Sequence, residues 1–186
     1  MENQIVSNNQ QESKVYKNFK TGSIAFIGAF FFFFFSLFTV QFGDSSRYSN
    51  YERNGLKITG VELATGGVMN AINSSASSGP LAGYVAPSNT WAFLTLLCIL
   101  AGMPAAILYN KKAAFLSYWI GIAGSAFLII LPIHFYFKWH HEISMGFEFG
   151  YFASLGCLIA AAYFCYKRYN EIFNVKNNGN PLMERE

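Results

Sequence analysis

Gly22-Ser23-Ile24-Ala25-Phe26-Ile27-Gly28-Ala29, then six phenylalanines from Phe30 to Phe35, then Ser36-Leu37-Phe38-Thr39-Val40: this uncharged run decides the class of fold. Its roughly 19 residues, wound as a helix at about 1.5 Å per residue, span about 28 Å, close to the hydrocarbon thickness of a bilayer. Six successive phenylalanines face every side of such a helix, some towards lipid and some towards other helices. Gly22, Ala25 and Ala29 form a small-residue stripe where another backbone can approach. The residues that follow, Gln41-Phe42-Gly43-Asp44, carry no small-x-small cleavage pattern, so the run is expected to be a retained membrane helix and not a signal peptide.

Three further apolar runs follow. The second, 91–109, has Trp91 and Tyr109 at its ends as interfacial anchors, Pro104 inside it, and Gly102 and Ala106 as a small pair. Asn110-Lys111-Lys112 makes a short basic turn into the third run, 113–137, where Ser117, Gly121 and Ser125 recur every fourth residue as the clearest helix-contact signature in the chain. After a short turn the fourth run covers 146–166, with Gly156 and Ala160 as its small pair. The whole chain of 186 residues is 53% hydrophobic and 12% charged, against about 25% charged in soluble domains. The expected architecture is an all-α membrane protein: a four-helix bundle over 22–166, spans at about 22–40, 91–109, 113–137 and 146–166, and polar tails at 1–21 and 167–186.

Residues 41–90 form a long first outer loop in this reading. Within it Asn54-Gly55 signals a type I′ hairpin, because both residues tolerate positive φ. A two-residue turn there sets Tyr51 opposite Ile58 and Glu52 opposite Lys57. Val61, Ala64, Val68 and Ile72 then recur at helical spacing, as in a short helix lying on the membrane surface, although Gly66-Gly67 weakens it. With four spans the termini share a side. That side carries nine of the thirteen basic residues and the other only Arg47, Arg53, Lys57 and Lys138. The positive-inside rule therefore predicts both termini in the cytoplasm and 41–90 outside, in a plasma membrane or a bacterial inner membrane.

Chemistry has few places to reside. Cys98, Cys157 and Cys165 all fall in apolar runs, without a CxxC or a disulfide framework. His134, His140, His141, Glu142 and Glu148 gather in sequence near the outer ends of the third and fourth runs and are the candidate metal ligands. With Trp139 among them and no HExxH-type spacing, they fit an interfacial aromatic–polar belt better than a metal site. Glu62 has no base, nucleophile or phosphate loop beside it in sequence and reads as a solvated or capping carboxylate. The spans hold no acidic or basic residue away from their ends, which argues against an ion-coupled transporter. No basic patch interleaved with aromatics points to nucleic acid. No cofactor is implied.

Four spans, cytoplasmic ends, a long first outer loop with a hairpin and a short second one resemble the claudin-type arrangement over the whole chain, at the level of topology. Claudins carry a Trp, a Gly-Leu-Trp and two cysteines in that loop; 41–89 contains neither Trp nor Cys, so paracellular sealing is not carried over. Thr59, Gly60, Leu63 and Gly66 before the second span also resemble a stretch in small four-helix bacterial membrane proteins, a likeness that implies no activity. Disulfide-forming quinone reductases need outer cysteine pairs, and small multidrug exporters need a glutamate in the first span; neither is present. The function expected is a non-enzymatic accessory or structural subunit. Its partners would be the lipid bilayer and other membrane-protein subunits or further copies of itself, met through Tyr51, Ile58, Glu62, Ser117, Gly121 and Ser125. The alternatives are a channel or transporter component for an uncharged or lipidic substrate, and a metal-dependent membrane enzyme.

Overall fold

The computed structural model describes residues 21–42, 56–66, 88–108, 110–139 and 143–177. The described residues are mainly helical, with a small sheet at one end. Helix α1 (Thr21–Phe33) leads into strand β1 (Ser36–Phe42). Strand β2 (Leu56–Thr59) runs directly into the short helix α2 (Gly60–Thr65). The long helices α3 (Thr90–Ile107) and α4 (Lys111–Trp139) follow, then strand β3 (Ile143–Phe147) and helix α5 (Phe149–Asn177).

The first apolar run is not one helix. Helix α1 stops at Phe33, about 13 residues or roughly 20 Å long, closed by tight bonds from Phe34 N–H to Phe31 O (3.2 Å) and Phe35 N–H to Phe32 O (3.0 Å). The remainder of the run turns into β1, the central strand of an antiparallel sheet ordered β2-β1-β3. Phe38 lies opposite Ile58 on one side and Phe147 on the other; Thr39 lies opposite Lys57 and Gly146. A bulge between Ser36 and Phe38 lets both Leu37 and Phe38 turn inward, and both are fully buried. Phe38 stacks on Phe135 of α4 and packs against Tyr151 of α5, which seats the sheet on the end of the bundle.

Two other boundaries differ from expectation. Residues 143–147, assigned by hydropathy to an outer turn and the start of the fourth span, form β3. Helix α5 does not end near Tyr166 but continues to Asn177, because Tyr169 and Ile172 continue the buried face and pack with Ala114 of α4. Of the expected β-hairpin across Asn54-Gly55, the second arm is strand β2, while the turn and the first arm lie outside the described residues. The described partner of β2 is β1, so the sheet is built from segments far apart in sequence.

The helices alternate in direction. Helix α1 runs antiparallel to α5: a Cβ on Gly22 would meet the Cys165 sulfur at 3.2 Å, one on Gly28 the Cys157 sulfur at 3.1 Å, and Phe32 packs on Phe149. It is also antiparallel to α3, where Phe26 fills the notch left by Gly102 and Ser23 Oγ donates to Ala106 O at 3.2 Å. Gly124 of α4 contacts both Cys98 of α3 and Leu158 of α5. Three helices are long and apolar enough to cross a membrane: Thr90–Ile107, Lys111–Phe137 and Phe149–Ile172. Together with the broad outward display of large apolar side chains on every long helix, this identifies a multi-pass membrane protein.

Candidate functional site

The polar side chains that matter lie at the two ends of the bundle. At the sheet end, Thr59 and Glu62 form a capping box. Thr59 Oγ1 accepts from Glu62 N–H (3.2 Å), and Glu62 Oε2 accepts from Thr59 N–H (2.9 Å) and from its hydroxyl (3.0 Å). Helix α2 ends on Gly66, whose φ of 70° suits the left-handed cap and whose N–H donates to Glu62 O at 2.9 Å. Buried Leu63 and Ala64 face the core, and Leu63 O accepts from Asn89 N–H at 2.7 Å.

Asn89 is the hub of this end. It is buried, and its Oδ1 caps α3 by accepting from Trp91 N–H (2.9 Å) and Ala92 N–H (3.4 Å). That capping fixes the amide orientation, so the Nδ2 group points at His134 Nδ1, 3.4 Å away on α4. The tautomer that suits this contact has Nδ1 as the acceptor and its N–H on Nε2. Trp91 packs edge-on to the same imidazole and against Phe127. One residue thus ties α2, α3 and α4 together.

Glu148 forms the second joint of this end. Its N–H donates to Leu37 O at 2.9 Å, and its carboxylate accepts from the Thr39 hydroxyl across β1. It therefore fastens the start of α5 to the central strand. Beside it Gly150 permits the close approach of β1: a Cβ there would lie 2.6 Å from Ser36 O.

At the opposite end the principal group is Arg168, expected in the polar tail 167–186. It is 1% exposed, the largest fully buried side chain among the described residues. Its guanidinium donates to Ala106 O at 2.9 Å and to Leu108 O, the carbonyls left without helical partners where α3 ends. The same Ala106 carbonyl receives Ser23 Oγ from α1, so α1, α3 and α5 meet on one oxygen. A cation at a helix C-terminus also faces the negative end of its dipole. The signal for this burial was present: Cys165, Arg168, Tyr169 and Ile172 continue the helical period beyond the apolar run.

The other residues singled out by sequence are distributed as follows. Ile58 is fully buried in the sheet opposite Phe38. Ser117 and Ser125 are buried and bond back to Ala113 O and Gly121 O, both at 2.8 Å. A Cβ on Gly121 would lie 3.0 Å from Ala162, so the small face of α4 is occupied by α5 of the same chain. Tyr51, His140, His141 and Glu142 lie outside the described residues. Among the described residues, His134 and Glu148 each have a structural partner, and no group of three His, Cys, Asp or Glu side chains is close enough to hold a metal ion. Comparison with known protein families, with curated proteins and with solved structures finds no match.

Proposed function

We propose that this chain is a non-enzymatic accessory or structural subunit of a larger membrane complex. The observation that carries the reading is how its polar side chains are used. Glu62, Asn89, Glu148 and Arg168 each close a joint within a helix cap or between the chain's own elements, leaving a braced bundle with an ordered cap. Such bracing suits a part whose shape is its contribution.

Four crossings are favoured over three. Helix α1 is short, yet the segment from Gly22 to Phe35 keeps level with α5 from Cys165 to Gly150, and Ser23 is level with the end of α3. The segment thus runs the length of its neighbours although only 13 or so residues are helical. The excess of basic residues at the end holding Lys111, Lys112 and Lys167 favours that end, with both termini, in the cytoplasm of a plasma membrane or bacterial inner membrane. The sheet then faces outward, an arrangement that resembles claudins in topology alone.

Purification of the tagged full chain from its native membrane in mild detergent tests the reading. A stoichiometric partner that survives high-salt washing is expected. A clean monomer lacking any stoichiometric companion overturns it.

A further inference from the structure

We propose that the outward seam between α4 and α5, at the Arg168 end, is a binding site for an anionic phospholipid of the surrounding bilayer. The proposal rests on the chain being embedded in a membrane and is independent of its having a protein partner.

The seam is covered by successive ring contacts that cross from one helix to the other. Phe115 of α4 packs on Tyr169 of α5 with centroids 5.4 Å apart, and one helical step further in Tyr118 packs on Tyr166 at 5.3 Å. The spacing of three residues on each antiparallel helix makes the two pairs rungs of one ladder. Trp119 flanks it, touching Phe115 at 6.2 Å and Tyr118 at 5.4 Å, and is about half exposed. At the terminal end of the ladder the Lys111 ammonium lies over the Tyr169 ring, 5.3 Å from its centroid. Lys112 is exposed and stands two helical turns before Trp119, on the same side of α4.

The order of these groups along the membrane normal matches a phospholipid: two ammonium groups at headgroup depth, then an amphipathic aromatic wall, then the exposed apolar surface of the two helices. Tyrosine and tryptophan favour that interfacial depth, and lysines at a helix end in an anionic leaflet attract headgroups by roughly 1 kcal/mol each, or about fivefold. Charge selects the occupant. Of the described carboxylates, Glu62 and Glu148 are at the other end of the bundle, and only Glu171 shares this one. A second protein helix is disfavoured here because rings, not small residues, line the seam.

The test uses the full chain in mild detergent, titrated with phosphatidylglycerol or phosphatidylcholine of matched acyl chains, with bound lipid counted by native mass spectrometry. A saturable single adduct is expected, favouring phosphatidylglycerol by at least about fivefold, the attraction of one lysine. The Lys111→Gln/Lys112→Gln double variant should lose that preference, whereas Lys167→Gln, a charge at the same end but off the ladder, should keep it. Equal binding of the two lipids by the unaltered chain overturns the proposal. So does a loss of preference in Lys167→Gln as large as in the double variant, which would mark a diffuse charge effect. The comparison of lipids on the unaltered chain stands even if a variant fails to fold, and neither result depends on whether a protein partner co-purifies.

Discussion

Lys167 and Arg168 are neighbours of the same charge with opposite fates. Lys167 is exposed, while Arg168 is buried with its guanidinium on the last carbonyls of α3. Arg168→Gln should therefore lower stability by about 2–3 kcal/mol, the scale of losing buried bonds made by a charged group, and Lys167→Gln should stay within about 0.5 kcal/mol. Chemical unfolding in detergent, followed by far-UV circular dichroism, distinguishes the two. Glycines provide a second contrast. A methyl on Gly102 collides with the Phe26 ring, so Gly102→Ala should cost about 1–3 kcal/mol by overpacking. Gly156 has nothing near its missing Cβ, so Gly156→Ala should be neutral or gain up to about 1 kcal/mol of helix propensity. At this scale some of the design was legible in sequence. Thr59-x-x-Glu62 is a capping box, and Asn89 before an apolar run is an N-cap, both recognisable without coordinates. The role of Arg168 was masked by its basic neighbour Lys167, and only the helical period of Cys165, Arg168, Tyr169 and Ile172 past the apolar run points to it.

The elements show where hydropathy succeeds and where it fails. The second and third apolar runs became α3 and α4 nearly as expected, since a local pattern determines a local structure. The first run did not. Six consecutive phenylalanines have no period, and aromatic residues serve a strand as readily as a helix. What turns 36–42 into a strand is its pairing with 56–59 and 143–147, contacts that no local window contains. The fully buried Ile58 is a consequence of that pairing. The register is open to a direct check, because a slip of one residue moves a side chain to the other face of the sheet. In a background with the three native cysteines replaced, Thr39→Cys combined with Lys57→Cys should cross-link under mild oxidation, and Thr39→Cys combined with Ile58→Cys should not. The reverse pattern would contradict the register.

At the scale of the whole molecule, two bonded ends clamp an apolar middle. Asn89 and Glu148 tie the sheet, α2 and three helices at one end; Arg168 ties α1, α3 and α5 at the other. Between them α1 packs through Gly22, Gly28 and the Gly102 notch, which lets a helix too short to span alone keep level with its neighbours. The membrane class of the fold was legible from charge-free runs. The sheet was not, because it draws one strand from within the first of those runs. The proposed fourth crossing, by the segment beginning at Gly22 despite the shortness of its helix, is open to test. The direct measurement is labelling of single introduced cysteines by a membrane-impermeant maleimide in intact cells, with the native cysteines replaced. Lys57→Cys should label from outside, whereas Lys20→Cys and Lys112→Cys should label only after the membrane is opened. Labelling of Lys20→Cys and Lys57→Cys from the same side would contradict the account.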